Sequence, residues 1–78
     1  MNPIREFRAL TPEALDALET AVREQRRVAL MRRGNEYVVV AVRLDTSDPD
    51  ERLHARLPMT GEVLTFRLRE LESFAVLP

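Results

Sequence analysis

His54 stands between Arg52 and Arg56 in a run, Arg52 to Leu57, that alternates polar and apolar residues. That alternation puts Arg52, His54 and Arg56 on one side of a strand and Leu53, Ala55 and Leu57 on the other. An imidazole titrates closest to neutral pH, so general acid–base catalysis is the first chemistry to consider. It needs a nucleophile or a second orienting group beside it, and the chain has no cysteine and no other histidine. We therefore expect no enzyme built on His54 and read it as an exposed strand residue.

Asp45, Asp48, Asp50 and Glu51 offer oxygen ligands within one short polar segment. A calcium loop requires a central glycine and a terminal glutamate at fixed positions, and here Pro49 interrupts the run instead. A solvated turn is the expected structure, with neither metal nor cofactor bound.

The arginines carry more. Val63 to Arg69 alternates again, with Leu64, Phe66 and Leu68 inward, and Pro58 to Glu62 supplies the turn that joins it to the preceding run. If Pro58 opposes Val63, the facing apolar pairs are Leu57/Leu64, Ala55/Phe66 and Leu53/Leu68. His54 then opposes Arg67 and Arg52 opposes Arg69. Arg52, Arg56, Arg67 and Arg69 would form a basic stripe suited to an acidic protein or an RNA backbone. The competing expectation is that Glu51, Glu62, Glu70 and Glu72 neutralise it as exposed ion pairs worth about 0–1 kcal/mol each. Phe66 and Phe74 read as core, which leaves Tyr37 as the exposed aromatic platform for a partner.

The elements that position these residues begin with a helix. Thr11 can cap it, Pro12 suits its first turn, and Leu15, Leu18 and Val22, backed by Ala14 and Ala21, form one apolar stripe. Acidic residues fill its first half and Arg23, Arg26 and Arg27 its end, matching the helix dipole. Gly34-Asn35 then turns one strand, from Val28, into another, Glu36 to Leu44, that is apolar on both faces and reads as central. Tyr37, Val39 and Ala41 share one of its faces, and Val38, Val40, Val42 and Leu44 the other. A one-residue difference in the turn would exchange those faces. One helical turn at Arg69 to Ser73 and a last strand, Phe74 to Leu77, complete the chain.

Seventy-eight residues make room for one domain, which at this size buries only about 60% of its unfolded surface. We divide it into an extension at 1–10, a helix at 11–27 and β structure at 28–77. All twelve basic residues are arginine, a bias that codon use in a GC-rich genome produces. A net charge of −1 argues against holding nucleic acid by bulk charge, so any such contact must be local. No apolar run approaches the roughly 20 residues of a membrane helix. We expect a soluble, cytoplasmic protein of bacterial type with no membrane partner.

The helix, the long strand after a glycine turn, the alternating hairpin, the single helical turn and the closing strand resemble Sm-like and SH3-like small β-barrels. The resemblance spans Pro12 to Leu77 and includes the Rho-inhibitor (Rof-type) antiterminators, in which a comparable strand ends near an Asp-Thr pair, as at Asp45-Thr46. It implies a fold. The Sm features that bind RNA do not carry over: Val39 to Ala41 lack the second glycine that bends the long strand, no asparagine follows Asp45 closely, and Arg69-Glu70 replaces an Arg-Gly pair. The expected architecture is α+β, an N-terminal helix followed by a five-stranded, strongly bent antiparallel sheet or small partly open barrel. The expected function is a non-catalytic interaction module that binds a protein, or a second copy of itself, through a sheet edge or the arginine hairpin. Nucleic-acid binding is the second reading.

Overall fold

The computed structural model describes residues 4–47 and 50–78, so Asp48 and Pro49 of the polar loop lie outside the described residues. In chain order the elements are β1 (Glu6–Phe7), α1 (Pro12–Glu24), β2 (Arg27–Arg32), β3 (Asn35–Asp45), β4 (Arg52–Arg56), β5 (Val63–Arg67), a 3-10 turn (Leu68–Glu70) and β6 (Ser73–Val76). The fold is α+β. Its one sheet has six strands rather than five, ordered β1-β6-β2-β3-β4-β5, all pairings antiparallel, and it is not closed. The extra strand comes from the segment read as an extension: Phe7 pairs with Phe74, and the two rings stack with centroids 5.2 Å apart.

α1 starts where the sequence indicates, with the Ala14 N–H donating to the Thr11 hydroxyl at 3.1 Å. It stops at Glu24, earlier than the expected Arg27, because Gln25 takes a left-handed conformation (φ 53°) and turns the chain into β2. The buried stripe is Ala14, Leu18 and Ala21, with Leu15 and Val22 at its margins. Two alanines on that stripe let the helix approach the sheet closely, and most of its contact is with β3.

Arg33-Gly34 makes the first hairpin turn, both residues at positive φ (52° and 77°), and Arg32 pairs with Asn35. A two-residue turn of this hand matches strand twist and fixes the register. Val28 and Leu30 therefore share the core face with Val39 and Tyr37. Midway along β3 the register against β4 slips by one residue: Ala41 opposes Ala55, but Arg43 opposes His54. The extra residue, Val42, is a β-bulge and is 45% exposed. Past it the faces exchange. Leu44 turns to the core opposite Leu53, and Arg43 and Asp45 turn outward.

The bulge also accounts for the bend that a second glycine would otherwise allow. Leu44, Leu53 and Phe66 lie in one register row, and on a straight strand Tyr37 would be roughly 23 Å from Leu44. Yet the Tyr37 and Phe66 rings meet edge to face with centroids 5.4 Å apart. Only a sheet curled across its own core face brings them together. The Arg32 guanidinium lies over both rings, 5.2 Å and 4.9 Å from their centroids.

Candidate interaction surface on the fourth and fifth strands

The second hairpin pairs Arg52 with Arg67, Leu53 with Phe66, His54 with Thr65, Ala55 with Leu64 and Arg56 with Val63. This is two residues away from the register that Pro58 opposite Val63 would give. The cause is the loop. The Leu57 N–H donates to the Glu62 carbonyl and the Gly61 N–H to the Leu57 carbonyl, so the turn closes between Leu57 and Glu62. A slip of two preserves faces, so Leu53, Phe66 and Leu68 are buried together, with Leu64 half-buried beside them.

The slip does change the stripe. Arg52, Arg56 and Arg67 share the outer face, but Arg69 falls in the 3-10 turn beyond β5. Arg52 and Arg69 instead converge on one carboxylate, Asp50, at 3.8 Å and 3.6 Å. Among the described residues the expected partners Glu51, Glu62, Glu70 and Glu72 make no ion pair with these arginines, and Arg56 and Arg67 have none at all.

Two arginines that sequence reasoning left out join the face. Arg43 arrives there through the bulge, in register with His54, and Arg27 begins β2 opposite Val40. Simple alternation assigns Arg43 to the face of Val39 and Ala41, so only a recognised bulge would have found it. Arg27, Val40, Arg56 and Val63 form one continuous outer row. Val40 is only 7% exposed on this face, as expected where long arginine stems lie over an apolar neighbour.

Tyr37 is not an exposed platform. It is half-buried, faces the core and lies under Arg32. Phe7, Phe66 and Phe74 face the same core, and with Tyr37 they are all the aromatic residues of the chain. The outer face therefore carries guanidinium groups without phenylalanine, tyrosine or tryptophan. His54 sits among them with Nδ1 3.1 Å from the Thr65 hydroxyl. Asp45, opposite Arg52, has its carboxyl held below the ordinary aspartate range, first by a hydrogen bond from the Ser47 hydroxyl and then by the Ser47 N–H, with smaller help from Arg43 and His54.

Beyond the side chains lies a free backbone edge. Leu57 bonds to Glu62, and the Leu68 N–H donates to the Glu51 carbonyl at 3.0 Å. Bonded and non-bonded pairs alternate along an antiparallel ladder. Leu64 and Phe66 therefore direct their backbone groups at β4, while Val63, Thr65 and Arg67 direct theirs away from it. Nothing among the described residues pairs with that side of β5. Val63 is 58% exposed there.

Among the described residues no three carboxylate, imidazole or thiol groups gather as a metal cluster, and no buried side-chain polar atom lacks a hydrogen-bond partner. No described helix is long and apolar enough to cross a membrane. No protein-family model, no curated protein and no solved structure matches the chain.

Proposed function

We propose that this chain is a non-catalytic interaction module that accepts an extended protein segment as an additional strand along β5. One observation carries the reading: Val63, Thr65 and Arg67 present unpaired backbone donors and acceptors on a five-residue edge. Natural edge strands are ordinarily guarded by charged side chains, proline, a bulge or brevity, and of these β5 has only the charge of Arg67 at its end. Strand addition draws affinity from main-chain hydrogen bonds and specificity from alternate side chains. A small-barrel architecture of the Sm-like or SH3-like kind suits this role. Its support is the strand order β6-β2-β3-β4-β5 with a 3-10 turn before β6.

The test is a peptide-display selection against the wild type and against Thr65→Pro. Proline at this position removes an outward N–H without breaking the β4 ladder. Extended binders should be enriched on the wild type, should slow amide exchange at Val63, Thr65 and Arg67, and should be lost on the variant. Binders that survive Thr65→Pro would refute the edge.

A nucleic-acid reading draws on Arg27, Arg43, Arg56 and Arg67, which share one face and make no ion pair among the described residues. Against it stands the absence of phenylalanine, tyrosine and tryptophan from that face, which leaves the His54 imidazole as its one ring, because single-strand binding relies on stacking as well as charge. Four phosphate contacts alone would give a log–log salt slope of about −3. We expect labelled single-stranded RNA to show no anisotropy change near physiological salt. Binding that persists there and disappears in the Arg27/Arg43/Arg56/Arg67→Ala variant would replace the protein partner with RNA.

A further inference from the structure

We infer that the strand accepted at β5 is a heterologous protein segment with acidic residues on the face it shares with Arg56 and Arg67 and apolar residues on the other. The inference rests on the edge reading above and adds the chemistry of the occupant. The first argument weighs against a second copy of this chain. A two-fold axis at Thr65 would set each Val63 against the other copy's Arg67. The neighbouring rows would then hold Arg52, Arg56, Arg67 and His54 of both copies. Asp50 offsets only Arg52 and Arg69. In that register the incoming strand, Val63 to Arg67, brings arginine and no carboxylate to the basic rows, so a second copy is the poorer occupant beside an acidic strand.

The second argument reads the partner from the rows it would extend. Side chains of an added antiparallel strand alternate faces in step with β5. On the outer face its positions lie beside Arg67, Thr65 and Val63. The position beside Arg67 meets that guanidinium directly, with Arg52 one strand further. The position beside Val63 lies two strands from Arg56, about 10 Å away, a gap that two long side chains can close over the small valine. Between them, beside Thr65, a hydroxyl or β-branched residue fits. On the core face the two intervening positions lie beside Leu64 and Phe66. Leu64 is only half-buried, so an apolar neighbour there removes further surface from water. The pattern is acidic, apolar, Thr-like, apolar, acidic. A basic or uniformly polar strand fits neither face.

The opposite end of the outer face strengthens the choice of sign. Glu6, Glu36 and Glu72 surround Met31 and Ser73 there, with Arg8 paired to Glu6 at 2.7 Å. An acidic segment is therefore repelled from the β1 end and drawn to the β5 end, which orients its approach as well as its docking.

The experiment uses the full chain and three probes: a labelled peptide with the core Glu-Val-Thr-Val-Glu, its counterpart Lys-Val-Thr-Val-Lys, and single-stranded RNA of similar length. The acidic peptide should bind and weaken with added salt, and the basic one should not bind. The Arg56→Ala/Arg67→Ala variant should lose about tenfold in affinity, as two partly screened ion pairs would give. Amide exchange at Val63, Thr65 and Arg67 should slow in the wild-type complex, a readout that holds even if Thr65→Pro folds poorly. Equal binding of both peptides with that same protection would overturn the acidic inference and leave the edge reading intact. Acidic-peptide binding without protection would overturn both. Failure of the acidic peptide to bind, with or without RNA binding in its place, would overturn the inference.

Discussion

At β1 the sheet stops after two residues, Glu6 and Phe7, whereas at β5 it stops after five, Val63 to Arg67. The short end is well covered: the Arg5 guanidinium lies 4.7 Å from the centre of the Phe7 ring and pairs with Glu13 of α1 at 2.8 Å. Arg8 pairs with Glu6 on the same strand. The long end has its one ring, Phe66, buried beneath Arg32 and leaves its backbone groups and Val63 to solvent. Brevity and charge thus close one edge to further pairing, and length and alternation leave the other open. The two ends also differ in sign, with glutamates around β1 and β6 and arginines across β4 and β5.

Side-chain truncation should give the largest separation between them. Phe66→Ala removes a fully buried ring that touches Tyr37 and packs with Leu53 and Leu68, and should cost about 3–5 kcal/mol. Phe7→Ala removes a half-buried ring stacked on Phe74 at the outermost strand, for about 1–2 kcal/mol. Denaturant unfolding of both variants measures the contrast. A Phe7→Ala loss equal to that of Phe66→Ala would show that β1 is as much a part of the core as β5.

Backbone substitutions sharpen the comparison within β5 itself. Leu64 points its N–H at β4, so Leu64→Pro should lose a ladder bond and about 2–3 kcal/mol. Thr65 points its N–H outward, and Thr65→Pro should cost about 1 kcal/mol or less. Equal melting temperatures for the two variants would mean that the assignment of inward and outward groups is wrong.

What could be read in advance follows from how local each determinant is. Thr11-Pro12 and Gly34 act on their immediate neighbours, so the helix start and the presence of the first hairpin are legible in the residues themselves, but the turn falls at Arg33-Gly34 rather than Gly34-Asn35 and its register is not. The faces of Leu53, Phe66 and Leu68 are legible too, because a two-residue slip leaves alternation intact. β1 is not, since two residues carry no periodicity and their partner, β6, is at the far end of the chain. Nor is the bulge at Val42: it interrupts an unbroken run of apolar residues with no glycine to mark it. That one residue determines the site, because it turns Arg43 outward and Leu44 inward. Tyr37 shares the face of Val39 and Ala41, and the turn at Arg33-Gly34, whose length the sequence leaves open, directs that face to the core. Asp50 was hidden for a similar reason, since its two arginines come from opposite ends of the second hairpin.

The smallest effect concerns the one carboxylate in register with the basic rows. Asp45 opposes Arg52, and as an anion it reduces the positive field that separates the β5 end from the β1 end. Its folded pKa lies below the ordinary aspartate value, because the Ser47 hydroxyl and N–H hydrogen-bond the ionised form, with Arg43 and His54 adding attraction. A depressed folded pKa stabilises the folded protein at pH above the unfolded value, and that contribution is lost as pH falls through the folded pKa. Wild type should therefore gain a constant margin over Asp45→Asn from neutral pH down to the ordinary aspartate range, and the margin should vanish in stronger acid. Titrating the Asp45 carboxyl by NMR while unfolding both proteins across that range measures the midpoint and the margin together. A midpoint at or above the ordinary value would remove the Ser47 contacts from the account and leave the basic rows with a weaker counter-charge in mild acid.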